Sequence, residues 1–98
     1  MDVLKSYRTR IDTLDEKIVD LLKQRFDIIH EVAALKAREN IPAILEDRVR
    51  EVIDNAASKA GPHQDEIREL YTLLVTIACD LEEKIIKSHT EVVWWTDI

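Results

Sequence analysis

Residues 3–38 read VLKSYRTRIDTLDEKIVDLLKQRFDIIHEVAALKAR, a stretch with no glycine and no proline. Ile11, Leu14, Ile18, Leu21, Leu22, Ile28, Ile29, Val32 and Leu35 recur at helical spacing, which predicts one amphipathic helix. Asp2 suits its N-cap, and Asn40 with Pro42 supplies the stop. At 1.5 Å per residue the helix is about 54 Å long, whereas the average globular helix has roughly 11–12 residues. A helix this long cannot fold back on itself, so its apolar stripe calls for another chain.

Working outward, a second helix is expected from about Leu45 to Ala60, with Val49, Val52, Ile53, Ala56 and Ala57 facing inward and Gly61-Pro62 ending it. A third is expected from about Gln64 to Lys87 through Ile67, Leu70, Tyr71, Leu74, Ile77, Ala78, Leu81 and Ile85. The last stretch, SHTEVVWWTDI, loses the helical period, so residues 89–98 are expected to be non-helical or docked, with the Trp94-Trp95 pair packed against something. With 46% hydrophobic residues, 35% charged, one Gly and two Pro, the fold class is all-α: one domain of three helices with a very long first one. So small an all-helical chain buries surface inefficiently, and oligomerisation is the natural supplement.

The formal charge of −6 argues against nucleic acid or an anionic membrane as partner, and leaves room for a small anion held by converging cations. One cysteine, Cys79, rules out an internal disulfide framework and suits a reducing cytoplasm. No apolar run approaches the roughly 20 residues of a membrane span, and no signal-peptide h-region is visible. The expectation is a cytoplasmic protein.

Leu4, Ile11, Ile18, Arg25 and Val32 fall seven residues apart, and the arginine is the intruder. Arg25 and Lys36 are eleven residues apart, hence only about 20° apart around the axis, both beside the apolar stripe. Arg8 lies about 100° round from Arg25 and some 42 Å along the axis from Lys36, too far to share a small ligand within one chain. In an antiparallel pair of chains Arg8 of one can approach the Arg25–Lys36 segment of the other, giving two equivalent sites in a two-fold dimer. Arg48 stands one residue before inward Val49, and Glu82 edges the third helix's apolar face, where a carboxylate must be paired, protonated or exposed. Each cation alone can be a snorkelling side chain or a register device; spacing does not choose between these and a site. His30-Glu31 does not begin a zinc HExxH, since residue 34 is Ala, and Cys79 reads as a small core residue. No metal or cofactor is expected.

The run YRTRIDTLDEKIVDLLKQRFDIIHEVAALKA, followed by a proline and then EDRV, resembles the AroQ-type, all-helical chorismate mutases over about residues 4–88. Its most specific part is R-x-x-I-D-x-L-D-x-x-I-x-x-L-L-x-x-R from Arg8 to Arg25. The resemblance implies an intertwined homodimer of three-helix chains that rearranges a chorismate-type dianion without a cofactor. It implies carboxylate-binding roles for Arg8 (from the partner chain) and Arg25, contact of Lys36 with the substrate's ether oxygen, and substrate binding by Arg48.

The departures from the family pattern are equally specific. Val49 replaces the usual acidic residue near the ring hydroxyl, Leu45 replaces a polar residue, and Ala78 stands where a serine is common. Glu82 occupies the place of a glutamine that donates to the ether oxygen, and only a protonated Glu donates. The Arg-Val pair is similar to isochorismate pyruvate lyases and to 4-amino-4-deoxychorismate mutases, and ACDLEEKII looks more like the latter. Three readings follow: a mutase acting on chorismate or its 4-amino analogue, a lyase forming salicylate, and an idle helical dimer with a regulatory or structural role.

Overall fold

The computed structural model describes the chain from residue 3 to residue 96, and its side chains from residue 3 to residue 89. Among the described residues three helices follow one another: α1 (Lys5–Glu39), α2 (Glu46–Ser58) and α3 (Gln64–Thr96), with a 3-10 turn at Gly61–His63 before α3. The all-α expectation holds. α3 packs against both α1 and α2.

Local chemistry sets the boundaries. α1 runs unbroken for 35 residues because it contains neither Pro, which lacks the backbone donor, nor Gly, which weakens a helix interior. It ends at Asn40, which adopts the left-handed conformation (φ 55°, ψ 40°). The Asn40 and Ile41 amides both close on the Lys36 carbonyl, a Schellman-type end. Pro42 then disfavours helix at Ile41. α2 starts after Leu45, extended at ψ 97°, and Gly61 at φ +57° turns the chain into α3.

Two boundaries differ from expectation. Asp2 lies outside the described residues, and the N-cap of α1 is Leu4, without a side-chain cap bond. α3 continues to Thr96, well beyond Lys87, so of the two expectations for residues 89–98, non-helical or docked, the non-helical one does not hold as far as Thr96. Apolar periodicity reports which face is buried, whereas the backbone needs only the absence of Gly and Pro to keep turning. The packing expected of Trp94 and Trp95 lies outside the described side chains.

The described residues of one chain enclose only a small core. The chain's radius of gyration is 18.1 Å, over extents of 68 × 29 × 14 Å, against about 13 Å for a compact domain of 100 residues. Among the described residues only Ala33, Ala57, Val75 and Ala78 form a buried apolar core, and no large side chain is fully buried. Small residues at these places let α1 and α2 approach α3 closely. Residues 3–21, up to the middle of α1, are exposed throughout, with Tyr7, Ile11, Leu14, Ile18 and Leu21 each more than half exposed. On α3, Leu70 and Ile77 face outward with Leu73, and Val75 takes the inward place that the periodicity assigned to Ile77. Monomeric proteins rarely expose so continuous an apolar stripe.

Candidate active site

The C-terminal half of α1, the start of α2 and the middle of α3 surround a cavity of about 320 Å³. That is within the range of small-molecule sites, roughly 300–1,000 Å³. Arg25 and Lys36 reach it from α1, Leu45, Arg48 and Val49 from the start of α2, and Ala78 and Glu82 from α3. Seven of the eight residues singled out in the sequence therefore line one space. Arg8 does not: it stands 17 positions before Arg25, about 25 Å along the same helix.

Lys36 and Glu82 form the charged floor. Their Nζ–Oε1 separation is 2.8 Å, with side chains only 13% and 7% exposed. Of the three possibilities for a carboxylate on this face, Glu82 is paired. The Lys36 ammonium also donates to the Ala43 carbonyl oxygen at 2.9 Å, whereas its contact with Glu82 is an ion pair without an aligned hydrogen bond, leaving Oε1 with acceptor capacity unspent. Removing one member of a buried pair strands the other's charge, so the two act as a unit.

Arg25 is half-buried, and its Nη1 is enclosed without a hydrogen-bond partner. A buried guanidinium nitrogen left unsatisfied costs on the order of 1–3 kcal/mol or more. That cost is recovered when an anion enters and takes a charge-assisted bond. Arg48 is different: it is 63% exposed and paired with Glu51 one turn on. Such a surface pair contributes little, so Arg48 can leave it for an anion at the cavity's rim at small cost.

Two contributors escaped the sequence reading. The Ala43 carbonyl is a backbone group and leaves no mark in the sequence. Cys79, expected in the core, instead lines the cavity beside Ala78; its position three residues before Glu82 was the available signal. Burial pushes its thiol above the usual value, Glu82's negative charge adds to this, and Lys36 opposes it. At a given pH there is less thiolate than in a free cysteine, and the thiolate is the nucleophile. Alkylation of Cys79 by iodoacetamide at pH 8 is accordingly expected to run several-fold slower than for a free thiol. It should keep accelerating as pH rises past the usual thiol range, and a dicarboxylate filling the cavity should slow it further. Mass spectrometry of the alkylated chain measures this; a rate indifferent to the dicarboxylate would mean that Cys79 does not face the ligand.

Among the described residues no helix is long and apolar enough to cross a membrane, and no group of three potential metal ligands comes together.

An all-helical chain with cations and one carboxylate around a small cavity is the architecture of one class of isomerase, and the profile of chorismate mutase type II matches residues 7–83. The chain belongs to that family and is an enzyme of the chorismate mutase type. It is 31% identical to the 4-amino-4-deoxychorismate mutase of Streptomyces pristinaespiralis over 89% of its length and 70% of the relative's. It is 29% identical to the 4-amino-4-deoxychorismate mutase of Streptomyces venezuelae over 89% and 87%. A bifunctional chorismate mutase/prephenate dehydratase of Aquifex aeolicus is 29% identical over 87% of this chain and a quarter of its own. No solved structure matches at a significant level.

Proposed function

We propose that the enzyme rearranges 4-amino-4-deoxychorismate or chorismate to the corresponding prephenate-type product, as a homodimer whose two sites each combine both chains. The observation that carries this reading is the enclosed, partnerless Nη1 of Arg25 in the cavity. A guanidinium nitrogen enclosed without a partner suits a ligand carboxylate. The 4-amino compound is put first because two relatives carry that name.

In the reaction the ether C–O bond breaks as a C–C bond forms within one molecule, so no proton, electron or cofactor is exchanged. Catalysis consists of holding the chair-like conformer and stabilising the charge that develops on the ether oxygen. Arg25 and Arg8 of the second chain clamp the two carboxylates, with Arg48 at the rim. The apolar side chains of Leu45, Val49 and Ala78 shape the wall against the ring. Lys36 donates to the ether oxygen.

In this proposal Glu82 acts through its ion pair with Lys36, whose ammonium it holds at the floor of the cavity. Glu82→Gln should lower kcat several-fold, because an amide cannot hold the ammonium by charge. A Gln variant with wild-type kcat would remove Glu82 from this role.

The homodimer is supported by the exposed stripe of α1, on which Arg8 also lies. The deciding experiment incubates the enzyme separately with 4-amino-4-deoxychorismate, chorismate and isochorismate and identifies products by mass and chromatography. An isomer of unchanged mass from either of the first two upholds the proposal, and kcat/KM names the preferred substrate. Pyruvate with salicylate from isochorismate alone would replace it by the lyase reading.

A further inference from the structure

Lys36 is tied to the turn after α1 at both ends of its residue. Its backbone carbonyl accepts the Asn40 and Ile41 amides that close the helix. Its ammonium, on the far end of the side chain, donates to the Ala43 carbonyl of the same turn at 2.9 Å. An ammonium has three N–H donors and no fixed rotation. One is spent on Ala43, Glu82 draws the head toward α3, and the orientation of what remains toward the cavity follows.

The turn can place the Ala43 carbonyl there because Asn40 sits at φ 55°. L-residues rarely adopt that region; Asn and Gly tolerate it, and a β-branched residue there is an outlier. Pro42 removes one amide and stiffens the segment between Asn40 and Ala43.

We propose that Asn40 is a positioning residue for the rearrangement: through the left-handed turn that it permits, it fixes the Ala43 carbonyl and so aims the Lys36 ammonium at the reacting ether oxygen. This rests on the role given to Lys36 above. Asn40 itself is not among the residues that line the cavity.

The test uses Asn40→Val, which resists the left-handed conformation, Asn40→Gly, which accepts it, and Lys36→Ala. Asn40→Val should lower kcat about tenfold to a hundredfold, as displacement by about 1 Å does. KM should change far less, with helicity and oligomeric state kept. Asn40→Gly should stay within about twofold of the wild type, because glycine enters the left-handed region freely. A second readout needs no turnover: the affinity for a bicyclic dicarboxylate resembling the transition state. Asn40→Val should weaken this affinity in the wild-type chain and leave it unchanged when Lys36 is already alanine, since a cycle isolates the coupling. If Asn40→Val does not fold, Asn40→Ala, a milder strain, replaces it in both measurements.

A valine variant with wild-type kcat overturns the proposal. So does a glycine variant as slow as the valine one, which would assign the effect to the Asn side chain. An equal loss in the Lys36→Ala background would make Asn40 merely structural. Undiminished turnover by Lys36→Ala alone would sink the role of Lys36, and is recognised separately from these outcomes.

Discussion

Arg25→Ala is expected to lower kcat/KM by about a hundredfold to a thousandfold without destabilising the protein. The loss corresponds to removing a buried, charge-assisted contact to a substrate carboxylate, about 3–4 kcal/mol by analogy with buried charged pairs. The stability side follows from the free enzyme. There Nη1 is enclosed and unsatisfied, so alanine removes a desolvation penalty of about 1–3 kcal/mol. Against this stands the lost packing of the side chain's aliphatic stem. The two roughly offset, and the melting temperature should hold or rise. Kinetics and thermal unfolding on one sample check both halves. A parallel fall in activity and melting temperature would mean that Arg25 props up the fold and has no special claim on substrate.

Mixing Arg8→Ala chains with Arg25→Ala chains should restore activity that neither has alone. Arg8 is on the exposed arm of α1, about 25 Å from the Arg25 of its own chain. Under the dimer proposal the cavity of each chain is completed by the other's arm. Random exchange puts about half of the dimers in mixed form, and each mixed dimer holds one intact site and one doubly defective site. Activity should climb toward about a quarter of the wild-type value as subunits exchange. Refolding the two variants together from denaturant, then assaying, measures this. No recovery from a mixture shown to contain mixed dimers would place Arg8 outside the site.

The fold was legible because its punctuation is sparse and clear. Thirty-six uninterrupted residues, Asn40 with Pro42, and Gly61-Pro62 leave one division into three helices. The end of α3 was not legible, because polar and aromatic residues past Lys87 break the apolar period without breaking the backbone. In the site, Arg25, Lys36 and Glu82 stood out as charges where apolar residues belong, and all three line the cavity. That Lys36 and Glu82 meet at 2.8 Å could not be read, since they are 46 positions apart on different helices. The family pattern led to Glu82 as a donor; its partner came only from the packing of α1 on α3. Leu70 and Ile77 were assigned inward because periodicity cannot say which of two neighbours a face meets, one in the same chain or one in another.

The thinness of the single chain bears on how it folds. Among the described residues four small or medium side chains make up the buried apolar core, far too little to offset the backbone entropy of ordering three helices, about 1–2 kcal/mol per residue. Under the dimer proposal, helix consolidation and chain meeting are one event, and the rate-limiting encounter is bimolecular. Dilution then slows folding as well as shifting its equilibrium. A cell making little of this enzyme would hold a standing pool of chains waiting for a mate, open to proteolysis until one arrives.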